Sequence, residues 1–178
     1  MAKTKVELGN ALKKLAYEKS FDKISVSDIT SKCNLNRQTF YYHFQDKYEC
    51  LEWVYRNECL LPLTKDMNSK NWEKCIEKLL IIMSENKEFY MNSIKDNPKI
   101  FMDIFISTTT SLFHNMIAMY DESKRGPLSA SFISEFLTMG IIGMIMNWIS
   151  KGMKVSPLVL SEQFKIMAMN MRKLKENQ

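Results

Sequence analysis

The chain has 178 residues, which is enough for one or two domains. Its hydrophobic fraction of 46% excludes a chain that is disordered throughout, and five glycines with four prolines are too few for a typical all-β sandwich or barrel. The net charge is +5, and most of the excess lies in residues 1–47, which hold nine Lys or Arg against five Asp or Glu. This distribution suits a polyanionic partner, although a solvated charged face would give the same balance.

The first elements of the chain are predicted to be helices. Apolar residues recur at helical spacing over residues 4–18 and indicate an amphipathic helix. Ser25 and Asp28 have the spacing of a capping box, which opens a second helix. Asn34 can adopt a positive φ and close the turn after that helix, and Asn36 can cap the next one.

The third predicted helix covers residues 37–44, "RQTFYYHF". With 100° per residue, Phe40 and Phe44 fall on one face, so we expect the two rings to be buried and to anchor the helix. The remaining faces carry residues with many hydrogen-bonding groups: Arg37, Gln38, Thr39, Tyr41, Tyr42 and His43.

A helix, a short turn and a second helix form the helix-turn-helix unit, whose second helix enters the major groove of DNA. Glutamine can bond to adenine and arginine to guanine, whereas tyrosine, histidine and the nearby Lys47 can reach phosphate oxygens. Ser25 and Asn36 mark two helix starts, where free amides favour phosphate. Each of these residues could alternatively be ordinary surface. The combination of capping box, turn, cap and aromatic anchor favours DNA binding.

The rest of the chain also has helical periodicity and no convincing strand. A fourth helix begins after Asp46 and is expected to stop at Pro62. Later helices are predicted at Trp72–Ser84, within "SENKEFYMNSI", from Pro98 to about Tyr120, from Ser129 to Lys151, and from Pro157 to about Leu174, with a polar loop at 121–127. We therefore predict an all-α fold of about nine helices. Residues 1–47 would form a helix-turn-helix DNA-binding domain, and residues 48–178 a C-terminal helical effector-binding and dimerisation domain.

The last two predicted helices are more apolar than one subunit requires. Residues 139–149 are apolar nearly all round, which indicates burial on more than one side. We expect a homodimer in which both copies contribute two helices to a four-helix bundle, and the alternative is burial within one subunit. The candidate dimer residues are Phe136, Gly140, Gly143, Met144, Asn147, Trp148, Phe164, Met167 and Met171.

The middle of the chain is rich in methionine and aromatic residues. These side chains could line an apolar effector pocket, or they could be ordinary core, because methionine fills irregular gaps. The candidate effector residues are Met83, Phe89, Tyr90, Met102, Phe105, Phe113, His114 and Met116, with Asp103 and the threonines of 108–110 as weaker polar candidates.

Several classes of function have no support in the sequence. We find no nucleophile–base pair, metal-ligand cluster or phosphate-binding glycine loop, so neither an enzyme nor a cofactor or metal is expected. The four cysteines form no CxxC pair, and the start "MAKTKVELGN" has no apolar signal segment, so a cytoplasmic protein with reduced thiols is expected. The apolar stretch "MGIIGMIMNWI" is shorter than the ~20 residues of a membrane span, so no membrane partner is expected.

Residues 8–52 resemble the DNA-binding domain of TetR-family transcriptional regulators. The resemblance rests on Asp28-Ile29 in the capped helix, on "NRQTFYYHF" with its Tyr-x-x-Phe ending, and on "QDKYECLEW". The segments "RQTFYYHFQDKYE" and "SENKEFY", together with Trp53, are most similar to a branch that contains the dihydroxyacetone-kinase operon regulators. Two positions depart from the family pattern: Asn34 replaces a turn glycine, and Gln38 replaces a frequent small residue, which could alter the base preference.

The resemblance implies a regulator that binds a double-stranded DNA operator as a homodimer joined through its last two helices. It also implies an effector cavity in each C-terminal domain and contacts to DNA from residues 37–39, 41–43 and 47. The expected function is a repressor that an apolar small-molecule effector releases from its operator. The alternative is a helix-turn-helix adaptor or activator that a protein co-regulator controls.

Overall fold

The computed structural model describes residues 2–65, 67–68, 70–118 and 129–176, with side chains for residues 3–170 within those ranges. Over these ranges the chain is helical and contains no strand. The helices are α1 (Ala2–Glu18), α2 (Val26–Lys32), α3 (Arg37–His43), α4 (Lys47–Tyr55), α5 (Leu61–Thr64), α6 (Trp72–Glu85), α7 (Lys87–Asp96), α8 (Pro98–Ala118), α9 (Ala130–Ser150) and α10 (Pro157–Glu176). A 3-10 turn at Phe21–Lys23 precedes α2, and a π-helical turn at Arg56–Leu60 joins α4 to α5. The all-α prediction is confirmed, and its count of about nine agrees with the nine continuous helical segments described.

The caps predicted around α2 and α3 are present. The Ser25 hydroxyl accepts a hydrogen bond from the Asp28 backbone N–H at 3.1 Å, and the Asp28 carboxylate accepts one from the Ser25 N–H at 2.8 Å. Asn34 has a φ of 54°, as expected for the residue that reverses the chain between the two helices. The Asn36 side chain accepts a hydrogen bond from the Thr39 N–H at 2.7 Å and starts α3. Local sequence signals therefore set where α2 begins, where the turn lies and where α3 begins.

The predicted end of the fourth helix at Pro62 is wrong. Helical structure continues through the π turn into α5, where Pro62 lies in the first turn. The Leu61 N–H donates to the Arg56 carbonyl, so one extra residue is inserted just before the proline. The proline then occupies the start of a new α-helical turn, where its missing N–H costs little.

The turn between the last two helices begins at Gly152, as the sequence predicts, and it contains a second residue with a positive φ. Gly152 ends α9 with a φ of 75°, and Met153 follows with a φ of 51°. The Met153 N–H donates to the Trp148 carbonyl at 2.9 Å, and the Gly152 N–H donates to the Ile149 carbonyl at 2.9 Å. These two bonds form a Schellman motif, which satisfies carbonyls at the end of α9. The predicted loop at 121–127 and the predicted helix end at Tyr120 lie outside the described residues.

One hydrophobic core connects the N-terminal helices to the C-terminal ones. In it α8 packs on α9, α6 packs on α10, and α1 packs on α2, α4 and α7. Gly9 of α1 lies against α4, because a Cβ there would be 2.9 Å from the Trp53 ring. The domain boundary near residue 47 stays a prediction.

Hydrogen bonds also join the N-terminal part of the chain to α7. They come from the end of α1 and from Ser20, which follows it, and their partners lie in α7 or at Asn86, just before α7. The Ser20 hydroxyl donates to Asp96 at 2.6 Å, and the Tyr17 hydroxyl donates to the Asn86 side-chain carbonyl at 2.8 Å. The Asn92 amide donates to the Ala16 carbonyl at 2.8 Å. We call these contacts the α1–α7 seam.

Two buried polar contacts join the α4–α5 helix to α7. The Tyr55 hydroxyl donates to the Ser93 hydroxyl at 2.7 Å, and the Cys59 thiol lies 2.7 Å from the Tyr90 hydroxyl. Burial raises the pKa of Cys59 to about 12, so this thiol stays protonated and hydrogen-bonded at neutral pH.

Helix α9 has 21 residues and is long and apolar enough to span a membrane by length and composition alone. The sequence-based argument that this stretch is too short is therefore wrong, because the helix extends well before Met139. About 33% of its most apolar window is buried within the chain. A large apolar face thus remains exposed on α9.

We predict that Asp28 makes the free energy of unfolding depend on pH in the acidic range. Hydrogen bonds from the Ser25 N–H, then from Lys19, lower the pKa of its carboxyl from 3.8 to about 2. Because the folded-state pKa is depressed, the stabilisation is complete above the unfolded value and is lost as the pH falls towards about 2. The free energy of unfolding, measured by urea denaturation against pH, should therefore lose this acid-range slope in Asp28→Asn.

The matched control for this experiment is Glu18→Gln, which removes a carboxylate from the same region without touching the cap. It should retain the acid-range slope of the wild type. Parallel pH curves for the wild type and Asp28→Asn would contradict the assigned role of the capping box.

Candidate nucleic-acid interface

Helix α3 is held by two phenylalanine rings, as the spacing predicts. Phe40 and Phe44 are fully or almost fully buried, and their ring centroids are 5.7 Å apart. The Phe44 ring packs edge-on against Trp53 of α4 at 6.0 Å, and the Lys5 ammonium of α1 lies 5.1 Å from the same ring. Contacts from α1 and α4 therefore fix the rotation of α3 about its axis.

The face of α3 opposite the two rings is open to solvent. Arg37 and Gln38 are exposed, and Tyr41 and Tyr42 keep 50% and 69% of their surface accessible. Thr39, which the sequence placed on this face, and His43, which it placed beside this face, are half-buried. The structure thus brings the predicted residues together on one surface, which we call the α3 face (Arg37, Gln38, Thr39, Tyr41, Tyr42, His43).

Neighbouring contacts orient several side chains of the α3 face. The Arg37 guanidinium donates to the Tyr41 hydroxyl at 3.4 Å, and its carbon lies 5.9 Å from the centre of that ring. The Thr39 hydroxyl donates to the Asn36 side-chain oxygen at 2.9 Å, which leaves its methyl group available for apolar contact. The rings of Tyr42 and His43 pack edge to face at 5.0 Å. The face offers donors suited to base edges and phosphates.

The helix-start residues Ser25 and Asn36 are both exposed, but their side-chain oxygens are engaged in caps. The Ser25 hydroxyl accepts from the Asp28 N–H and donates to the Asp28 carboxylate at 2.8 Å. The Asn36 oxygen accepts from both the N–H and the hydroxyl of Thr39. These two side chains therefore cap the N-termini of α2 and α3.

Lys47 has a different environment from the one expected of a phosphate ligand. Its ammonium donates to three backbone carbonyls, those of Phe21 at 3.0 Å and of Asp22 and Ile24 at 2.9 Å. It also lies 4.9 Å from the Phe21 ring and 5.3 Å from the Tyr48 ring. Burial lowers its pKa, while the carboxylates of Asp22 and Asp96 act in the opposite direction.

All three N–H donors of Lys47 are used within the chain, so this geometry argues against the predicted phosphate contact. Lys47 instead joins the start of α4 to the turn before α2. No local sequence signal indicated this, because the accepting carbonyls lie 23 to 26 residues earlier in the chain.

Most of the predicted dimer residues lie on exposed parts of the last two helices. Phe136 and Met167 each keep 58% of their surface accessible, and a Cβ placed on Gly140 or Gly143 would meet nothing within 4 Å. Met144 and Asn147 are exposed as well, and Phe164 is half-buried.

Trp148 is the exception among the predicted dimer residues that the structure describes. Only 4% of it is exposed, and its indole N–H donates to the Val155 carbonyl at 2.7 Å, so it belongs to the core of the subunit. The side chain of Met171 lies outside the described residues.

The predicted effector residues do not form one pocket. Phe105 and Phe113 line an apolar cavity of about 20 Å³, whereas Met83, Phe89 and Tyr90 are buried and do not line it. Tyr90 stacks on Tyr55 with ring centroids 6.0 Å apart. Met102 and Met116 are half-buried, and His114 is exposed on α8, so none of the three lines this cavity. Three of the eight, Met83, Phe89 and Tyr90, are therefore ordinary core.

Two threonines line the 20 Å³ cavity: Thr109, which belongs to the 108–110 run of weaker polar candidates, and Thr138, which the sequence did not single out. A second cavity of about 170 Å³, next to it, is lined by Lys74 and Lys78 among others. The spacing of the two lysines places them on one face of α6, which was visible in the sequence, whereas nothing marked Thr138 as more than a core residue.

Two family models match the chain. Residues 10–54 match the model described as "Bacterial regulatory proteins, tetR family", and residues 70–170 match the model described as "Transcriptional regulator C-terminal region". The first range contains the α3 face, and the second contains most of the residues that line the two cavities and most of the exposed apolar surface of α9 and α10.

The chain is also similar to two curated bacterial proteins. It is 27% identical over 156 residues to the HTH-type dhaKLM operon transcriptional activator DhaS of Lactococcus lactis subsp. lactis (strain IL1403), covering 85% of this chain and 82% of that protein. It is 26% identical over 159 residues to the uncharacterised HTH-type transcriptional regulator YxbF of Bacillus subtilis (strain 168), and spans 40% of that protein.

Solved structures agree with this grouping. The structure named dihydroxyacetone kinase operon activator DhaS has a TM-score of 0.77 at 26% identity and covers 98% of both chains. A transcriptional regulator from Aquifex aeolicus VF5 has a TM-score of 0.67 at 22% identity, covering 94% of this chain and 99% of that one, which shows a shared fold.

We predict that Lys47→Met destabilises the fold without changing the salt dependence of DNA binding. Three carbonyls lose a charged donor, so the free energy of unfolding should fall by about 2 kcal/mol in urea denaturation. A phosphate ligand would instead lower the slope of log affinity against log salt by about one. The control Lys23→Met removes an exposed lysine from the same turn and should leave stability nearly unchanged. A reduced salt slope with unchanged stability in Lys47→Met would show that the lysine contacts DNA after all.

Proposed function

Because the chain belongs to the TetR family of bacterial transcriptional regulators, we propose that it binds a DNA operator as a homodimer and acts as a repressor that a small-molecule effector releases. The observation that carries this proposal is the solvent-exposed α3 face, held outward by the burial of Phe40 and Phe44. A protein of this kind acts at the chromosome, so the cytoplasm is its proposed location.

On this proposal, α3 enters the major groove and the α3 face contacts DNA. Arg37 and Gln38 are exposed near the start of the helix, where recognition helices reach base edges. Tyr41, Tyr42 and His43 lie further along the helix, where their polar groups would meet phosphate oxygens and fix the register. Gln38, with an amide that suits adenine, is the residue expected to set the base preference.

The proposed dimer uses the exposed apolar face of α9 and α10. On α9, Phe132 and Phe136 stack with ring centroids 6.4 Å apart, and Gly140 and Gly143 continue the same face. The two glycines leave space for the backbone of a second helix to approach closely. Four helices, two from each copy, would cover this surface, and the dimer would present two α3 helices to half-sites one helical turn or a multiple apart.

The proposed effector acts by favouring one conformation of the dimer. A ligand can shift operator binding only by its difference in affinity for the DNA-binding and non-binding states. The adjacent cavities near α6 are the space in the described part of the chain that supports such a ligand.

A second candidate function is activation under the control of a protein co-regulator. Two observations favour it: the relative DhaS is named an activator, and only Phe105 and Phe113 of the eight predicted effector residues line either of the two cavities described. Transcription of the regulated genes after deletion of this gene separates the two candidates, because loss of a repressor raises it and loss of an activator lowers it.

We predict that Arg37→Ala weakens binding to the cognate operator more than binding to random DNA, because a base contact contributes about 1–3 kcal/mol only at the correct sequence. Gel shifts on the DNA upstream of the protein's own gene, beside a random duplex of equal length, measure both affinities. The control Lys14→Ala removes an exposed positive charge from α1 and should change both affinities equally and little. Equal losses on both duplexes for Arg37→Ala would contradict base readout by this residue.

We predict that Gly143→Leu converts the dimer to a folded monomer. The leucine meets open space within one subunit, and a leucine favours the helix more than a glycine does, so the fold should persist while the second helix is excluded. Analytical ultracentrifugation should show half the mass, and operator affinity should fall. Gly143→Ala is the conservative control and should remain dimeric. A Gly143→Leu protein that stays dimeric with wild-type operator affinity would place the interface elsewhere.

A further inference from the structure

Two cavities of different character meet beside α6. The inner one, of about 20 Å³, lies among α5, α6, α8 and α9, and the outer one, of about 170 Å³, lies between the α4–α5 helix and α6. Leu63 and Leu79 line both cavities, so these two side chains stand between them. A ligand that occupies both spaces would therefore have to pass these two leucines.

The inner cavity is apolar except for its threonines. Thr109 donates its hydroxyl to the Phe105 carbonyl at 2.6 Å. Thr138 is completely buried, and its hydroxyl oxygen has no hydrogen-bond partner in the described part of the chain. A buried hydroxyl without a partner is unfavourable by about 1–3 kcal/mol, and such groups are rare in folded proteins. The volume of 20 Å³ accommodates one water-sized group, and Thr138 is among the residues that line this space.

The outer cavity has a basic rim. Lys74 and Lys78 are one helical turn apart on α6, and both are exposed. The remaining lining is largely apolar and includes Cys59, Pro62, Cys75 and Ile82. An anionic group would be attracted to the rim, and an attached hydrocarbon chain would find an apolar surface below it.

We propose that the two cavities together form the effector site and that the effector is a small amphipathic carboxylate with a hydroxyl group at its far end. Its carboxylate lies between Lys74 and Lys78, its chain passes Leu63 and Leu79, and its terminal hydroxyl pairs with Thr138. This inference rests on the proposed function only in treating the ligand as an effector. The chemical class of the ligand is argued separately, from the lysines at the outer cavity and the unpaired Thr138 hydroxyl at the inner one.

Direct binding to the full-length protein tests the site. The probes are ω-hydroxyoctanoate and ω-hydroxyhexanoate, with octanoate, octane-1,8-diol and octylammonium as comparison compounds, each measured by calorimetry. A hydroxy acid should bind, octanoate about fivefold more weakly because it leaves Thr138 without a partner, and the diol and the ammonium compound at least about tenfold more weakly. Failure of both hydroxy acids to bind at millimolar concentration overturns the proposal and leaves a structural water as the occupant of the inner cavity.

Two sets of variants assign the ends of the ligand. Thr138→Val keeps the shape of the side chain and should equalise the affinities of ω-hydroxyoctanoate and octanoate, while leaving the melting temperature unchanged or higher. The double reversal Lys74→Glu/Lys78→Glu should weaken binding of both acids at least about tenfold, whereas the control Lys151→Glu/Lys154→Glu, with the same change of charge elsewhere, should not. A hydroxyl preference that persists in Thr138→Val, or equal affinities in the two charge-reversed proteins, overturns the assignment.

Operator binding is measured separately, by gel shift with and without the hydroxy acid. Ligand binding that changes operator affinity supports the proposal. If operator DNA is bound but the acids are not, the effector site is wrong and the DNA-binding function stands. If the acids bind as expected but no operator does, the site is correct and its role as an effector site in a DNA-binding protein is wrong.

Discussion

The burial of Phe40 and Phe44 decides what α3 presents to solvent. A helix of seven residues is not stable alone, so its position depends on tertiary contacts. Here two rings, four residues apart, fix both the location and the rotation of the helix, because Phe44 is held by Trp53 from α4 and by Lys5 from α1. The polar residues between and beside the rings must then point away from the core. An apolar contact inside the domain thus orders the surface that is proposed to meet DNA, without any strong bond within that surface.

Features that depend on neighbouring residues could be predicted from the sequence, and features that depend on distant ones could not. The capping box at Ser25, the positive φ of Asn34 and the buried pair on α3 follow from local chemistry and helical spacing, and all are present. The donors of Lys47 are taken by carbonyls from another segment, and Trp148 is buried because the turn after α9 supplies an acceptor. The methionine-rich middle was ambiguous for the same reason, since only packing distinguishes core from cavity lining.

The connection between the two parts of the chain is polar as well as apolar. Asn86 is the single residue between α6 and α7, and it accepts a hydrogen bond from Tyr17 of α1. The α1–α7 seam continues from there to Asp96, which holds Ser20 just before the helix-turn-helix. Helix α6 lines the proposed effector site, and α7 lies directly against the N-terminal helices. The path from the cavity to the helix-turn-helix is therefore short and includes directional hydrogen bonds as well as apolar packing.

The corner between α9 and α10 has a consequence for assembly. Two successive residues in the left-handed region, Gly152 and Met153, and the indole bond from Trp148 to the following segment hold this corner in one conformation. The apolar faces of the two helices are consequently arranged before any second copy arrives. Subunits that meet with such a preformed surface give up little backbone freedom on association, so a larger share of the buried apolar area becomes net affinity. In the proposed dimer, two copies should accordingly recognise each other as rigid bodies, with no folding step delaying their encounter.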